Sequence, residues 1–267
     1  MQDFESTDGM SEPCARGLRH LLLACADTKL LLGYHYGEWT FGTPALEAAV
    51  ASCSLAQTEL GHVRLLHALL SRHCGDDPDA LVERRPAQAF AGVGYLDRPV
   101  ETWPGFVAAN LVVDLAVTRT LHALAGSAFR PLRASVDKML DEERHHLHHG
   151  RGWFRTLAGR EGDSVELRRQ TEAAIASVVE WFGPEGEPED TALVGAGVKA
   201  EPNGAIRDAV VQEVMSLARE AGISLAPPRP PDVGAWNPAT RRAGDGGPEE
   251  TILFRLRGTR NEVFKLA

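Results

Sequence analysis

Apolar residues along most of this 267-residue chain recur every three or four positions rather than every second one, the period of helices that bury one face. Read for starts and stops, that period predicts a first helix over residues 15–40, ending near Gly42. A second runs to about residue 74, with Thr43 as N-cap and Pro44 in its first turn, and Gly75-Asp76-Asp77-Pro78 stops it. After a connection punctuated by Pro86, Gly92, Gly94 and Pro99, a third helix starts at Trp103-Pro104 and reaches about 127. A fourth covers 131–158, opened by Pro131, and segments 164–183 and 203–222 read as two more. The fold class is therefore all-α, a four-helix bundle with additional C-terminal helices. Residues 1–14 are expected to be a disordered tail and 15–223 the helical domain. Residues 224–267 form a Pro/Gly-rich extension, extended or disordered until TILFRLRGTRNEVF, which reads as a short helix or strand.

Some of the helical stripes are interrupted by residues that do not belong in a core. The third helix presents Val107, Leu111, Asp114, Val117, Leu121 and Ala125, with one carboxylate in the middle of an apolar line. Burying an ionised carboxylate alone costs several kcal/mol, so Asp114 needs a metal or an internal ion pair, for instance with an Arg of another helix. The second helix carries Glu59-Leu60-Gly61-His62 and the fourth Glu143-Arg144-His145-His146, two Glu-x-x-His pairs. Positions three apart share a helix face, so each pair can turn a carboxylate and an imidazole toward one ion. In the fourth helix the line Val136, Met139, Glu143, His146, Gly150, Trp153, Leu157 selects Glu143 and His146 over the rival pair Glu142 and His145, whose line holds Lys138, Asp141 and His149. On the first helix Glu38 follows Leu31 and Tyr34 and is the expected fourth carboxylate.

Glu38, Glu59, His62, Asp114, Glu143 and His146 thus form, in chain order, the ligand scheme of ferritin-like di-iron and di-manganese carboxylate proteins. Mixed oxygen and nitrogen donors suit two iron ions, with manganese the alternative. Other histidines and aromatics have plainer readings. The run His145 to His149 mostly faces outward, His35 packs or is exposed, and Trp39, Trp103, Trp153 and Trp181 pack the bundle. Arg151 reads as a surface salt bridge.

Composition narrows the partners. With 28 Lys and Arg against 37 Asp and Glu, a net charge of −9 argues against nucleic acid and anionic lipid. Cys14, Cys25, Cys53 and Cys74 are widely spaced, as reduced thiols would be, no stretch reads as a membrane span or signal peptide, and the expected localisation is cytoplasmic.

At these residues the chain resembles the phenylacetic acid catabolic protein family, the A-type and C-type subunits of bacterial phenylacetyl-CoA epoxidase. GEWTFGTPALEAAVASCSLAQTELGHVRLLHALL is similar to the family's first two core helices, and EERHHLHHGRGWFRTL to its fourth, both closest to the C type. The resemblance covers about residues 18–220. In the family the A-type subunits carry the metal ligands, whereas many of the C type have lost them and carry something like LLGQ on the second helix. Here Glu59-Leu60-Gly61-His62 matches the A-type pattern, as do Asp114 in LVVD and Glu143 with His146 in EExxH. The body is C-like and the metal site A-like.

The resemblance implies a di-iron monooxygenase that activates O₂ to epoxidise or hydroxylate a small organic substrate, such as the aromatic acyl-CoA phenylacetyl-CoA. No catalytic residue beyond the ligands is assigned. Without a flavin fingerprint or cysteine cluster, electrons are expected from an external reductase. Further partners are a second copy or an A/C-type homologous subunit. The alternative is a non-catalytic C-type structural subunit of a multicomponent epoxidase, against which the intact ligand set argues. Metal storage, or an oxidase without organic substrate, is the third reading.

Overall fold

The computed structural model describes residues 3–231 and 234–258. Four long helices form the bundle: α1 (Glu12–Glu38), α2 (Leu46–Leu69), α3 (Trp103–Leu124) and α4 (Arg130–Ala158). Against them pack α5 (Glu161–Phe182), α6 (Pro188–Gly195), α7 (Asn203–Glu220) and α8 (Glu250–Leu256). The only sheet among the described residues is a two-residue hairpin, β1 (Trp236–Asn237) with β2 (Arg242–Ala243). All-α is the observed class.

The helices differ in how much of their surface is covered. The central α1 is buried on every side from Leu21 to Gly33. Burial on α2 follows one line, Leu55, Glu59, His62, Leu66 and Leu69, and on α4 another, Leu132, Val136, Met139, Glu143, His146, Gly150, Phe154 and Leu157. Phe154, not Trp153, completes the α4 line. Every residue of α3 from Trp103 to Thr118 is buried. Contrary to the expectation from sequence, this helix is long and apolar enough to cross a membrane by composition, but 89% of its apolar window lies inside the bundle. Midway, Ala109–Val113 widens into a π-turn that ends at Asp114, the kind of local distortion that often re-aims side chains at functional sites.

Several boundaries differ from the expected ones. Residues 3–11, expected to be a disordered tail, lie against the body. The Phe4 amide donates to the Ala128 carbonyl (2.7 Å), and the Phe4 carbonyl accepts from the Arg130 amide (3.0 Å). Helix α2 begins at Leu46 with Ala45 as its N-cap, not at Thr43-Pro44. The α6 helix has no counterpart among the expected helices. It rides on the N-terminal half of α1 at Gly17, where a Cβ would stand 2.9 Å from Glu189 Cβ. In the extension, the Trp236 indole donates to the Glu180 carbonyl (2.8 Å), and Leu253 of α8 buries against Leu30, Val63 and Phe90. The final TRNEVF of the expected terminal element lies outside the described residues, which end at Gly258 just before it.

Candidate functional site

Midway along the bundle, all four long helices send polar side chains into a space closed to solvent. From α2 come Glu59 and His62, from α3 Asp114, and from α4 Glu143 and His146, each at most 1% exposed. Glu59, Asp114, Glu143 and His146 each offer a ligand atom within 4.8 Å of the others, a group able to hold a metal ion. The His146 Nδ1 lies 2.9 Å from Asp114 Oδ2 and 3.1 Å from Glu59 Oε1. His62 Nε2 lies 2.7 Å from Glu142 Oε2, and its Nδ1 3.2 Å from Glu143 Oε1. Glu142, whose side chain is 40% exposed, therefore caps the outer side of His62.

Helix α1 contributes something else. The fully buried Lys29 directs its ammonium into the middle of the carboxylates. Its Nζ donates to Glu143 Oε1 (2.5 Å) and Glu59 Oε2 (2.9 Å), with Asp114 Oδ1 3.9 Å away. Seven residues on, on the same face of α1, the buried Tyr36 hydroxyl donates to Asp114 Oδ2 (3.1 Å). Thr118 donates to Glu143 Oε2 (2.9 Å), and Asn110, inside the π-turn, reaches both Tyr36 and Asp114.

Glu38 is not part of the group. It lies nine residues beyond Lys29, which at about 100° per residue is half a turn away, on the opposite side of α1. Its half-exposed carboxylate pairs with Arg255 of α8 beside Tyr34. The first helix thus gives a cation where a fourth carboxylate was expected. The internal ion pair considered for Asp114 does exist as a contact, but the base is Lys29 rather than an arginine.

The charges are mutually dependent. Burial alone would lower the Lys29 pKa, yet the carboxylates of Glu143, Glu59 and Asp114 raise it above the ordinary lysine value. Burial likewise disfavours the His146 imidazolium, and Asp114, by charge and hydrogen bond, with Glu59, raises it. Glu143 would be pushed up by burial, but Lys29 and the contact from His62 hold it well below the usual carboxylate range. Asp114 moves the other way: burial, then the neighbouring Glu143 and Glu59, raise its carboxyl despite His146.

Two metal ions do not suit this cluster. Three carboxylates, not four, surround it, and an ammonium already engages oxygens of Glu59 and Glu143 that would have to serve as metal donors. At an effective dielectric near 20, a divalent ion about 4 Å from an ammonium is repelled by roughly 8 kcal/mol. Lys29 would have to leave or give up its proton, and it is fully buried under α2, α3 and α4 among carboxylates that favour its charged form. Glu59 Oε1, Asp114 Oδ1, His62 Nδ1 and His146 Nε2 do remain buried without a hydrogen bond, so donor atoms are not exhausted.

The remaining residues singled out from sequence settle into packing. His35 is buried against the Leu96 carbonyl (2.9 Å), and His149 lies 3.0 Å from Asn110 Oδ1. Trp39 and Trp103 pack against Phe106, Trp153 stands edge-on to Trp103, and Arg151 pairs with Glu213. The four cysteines are free.

The sequence model of the family described as Phenylacetic acid catabolic protein matches residues 1–237. The C-type subunit of 1,2-phenylacetyl-CoA epoxidase from Escherichia coli (strain K12) is 24% identical over 205 residues, covering 76% of this chain and 82% of that relative.

Proposed function

The chain belongs to the phenylacetic acid catabolic protein family, and from that premise we propose that it is a non-catalytic, metal-independent partner subunit of a multicomponent oxygenase acting on an aromatic acyl-CoA. One observation carries this reading: the Lys29 ammonium sits among Glu59, Glu143 and Asp114. It supplies the positive charge that metal ions would otherwise bring, and ties α1 to the other three bundle helices. A protein-borne cation makes the fold independent of metal supply. The similarity to a C-type subunit points the same way. Partners are then a catalytic homologous subunit and, through it, a reductase.

A second reading keeps the retained donors in use, with Lys29 displaced and an iron- or manganese-dependent oxygenase as the result. The unpaired atoms of Glu59, Asp114, His62 and His146 favour it. Metal analysis separates the two. The protein is purified after growth in iron-supplemented and in manganese-supplemented medium, and metal per chain is measured with the melting temperature under chelator. The expected result is well under one ion per chain and no chelator effect. One or two tightly held ions, lost together with stability on chelation, would reverse the assignment.

A further inference from the structure

Helix α2 is apolar on both sides, and its outer side is uncovered. While Leu55, Glu59, His62 and Leu66 face the bundle, the opposite face carries Leu46 and Val50, 77% and 65% exposed, followed by Ser54, Gln57 and Gly61. Leu60, 42% exposed, flanks that line, and Phe41, 99% exposed, stands just before the helix. A face this poor in charge is unusual on a chain of net charge −9; α4, by contrast, turns Asp137, Lys138, Asp141 and Arg144 outward. Exposed apolar patches of this kind mark interaction sites.

The two charges that do sit on this outer side identify the occupant. Glu47 is near its start and Arg64 near its end, both exposed, and neither side chain has an ion-pair or hydrogen-bond partner among the described residues. They are placed symmetrically about the Leu55–Ala56 step. Packed antiparallel on a second α2 about a two-fold axis there, Glu47 of each copy comes level with Arg64 of the other. Val50 then comes level with Gly61, whose missing side chain leaves open space (a Cβ there would meet nothing within 4 Å). The face is thus self-complementary in charge and in shape, as an isologous contact requires.

We propose that α2 is a homodimer contact, with a second copy of this chain as its occupant and reciprocal Glu47–Arg64 pairs at its two ends. The contact is independent of whether the central cluster takes metal.

Sedimentation equilibrium on the full chain tests it. The wild type is expected to be dimeric, and Val50→Glu monomeric with an unchanged circular-dichroism spectrum. Glu47→Arg sets arginine against arginine twice and should weaken dimerisation roughly tenfold or more, as should Arg64→Glu. The double variant Glu47→Arg/Arg64→Glu restores opposite charges and should return the dissociation constant to within about threefold of wild type. A monomeric wild type, a dimer indifferent to the single reversals, or a double variant no better than the singles would overturn the proposal. So would a chain that is monomeric alone and pairs through this face only with a catalytic homologue.

Discussion

Replacing Lys29 by methionine keeps an unbranched apolar side chain, one atom shorter, and removes its charge. In the wild type the ammonium donates to Glu143 and Glu59 at 2.5 and 2.9 Å, with Asp114 at 3.9 Å. Without it, three buried carboxylates face one another with His146 as the nearest compensating base. Removing one partner of a buried ion pair typically costs about 3–5 kcal/mol, because the other charge stays desolvated. For a chain of this size that lowers the melting temperature by roughly 10 °C. The deficit should shrink as pH falls toward 5, because the stranded carboxylates take up protons and their repulsion disappears. Lys29→Glu completes the family of variants: it supplies the fourth carboxylate of a dinuclear ligand set and is expected to be unstable without metal. Manganese(II) at about 100 times its dissociation constant should return about 2.7 kcal/mol to that variant. Urea unfolding followed by circular dichroism, with manganese(II), iron(II) or chelator, reads all three proteins. Lys29→Met as stable as wild type to within about 1 kcal/mol would refute the reasoning, as would wild-type protein stabilised by metal as strongly as Lys29→Glu.

Three further outcomes follow from the packing. Gly17→Ala drives a methyl to 2.9 Å from Glu189 Cβ and 3.1 Å from its carbonyl, so it should destabilise by about 1–3 kcal/mol, read by thermal melting; a neutral substitution would show that α6 shifts freely on α1. Burial, with the nearby charges of His146 and His148, holds the His149 imidazole down at about 4, below the unfolded value of about 6.5. The unfolded chain therefore binds more protons between those values, stability falls as pH drops from about 6.5 toward 4, and His149→Gln should flatten that part of the profile. Glu38→Ala removes only a half-exposed pair with Arg255 and should change stability by less than about 0.5 kcal/mol; a loss of several kcal/mol would tie Glu38 to the cluster after all.

What could be read from the sequence depended on how many sides of each helix are covered. On α4, where one line is buried and the exposed side carries Asp137, Lys138, Asp141 and Arg144, periodicity alone separates Glu143 and His146 from Glu142 and His145. On α3 a single Asp114 in an apolar run stands out for the same reason. The α1 helix offers no such contrast. From Leu21 to Gly33 it is buried all round, so no face is marked as the inner one, and a stripe drawn through Leu31, Tyr34 and Glu38 looks as good as any. The usable signal is different: Asp27 and Lys29 are the charged residues in an otherwise uncharged stretch from His20 to Tyr36, and each must therefore have a buried partner. Asp27 finds Arg85. Lys29 lies three, four and seven residues from Leu32, Cys25 and Tyr36 along one face, and from that face its ammonium reaches Glu59 (2.9 Å). The dinuclear ligand scheme calls only for an acid on the first helix. A residue-neutral question, which side chain of any charge α1 must bury at the level of the two Glu-x-x-His pairs, leads to Lys29, and with it to a cluster that carries its own cation.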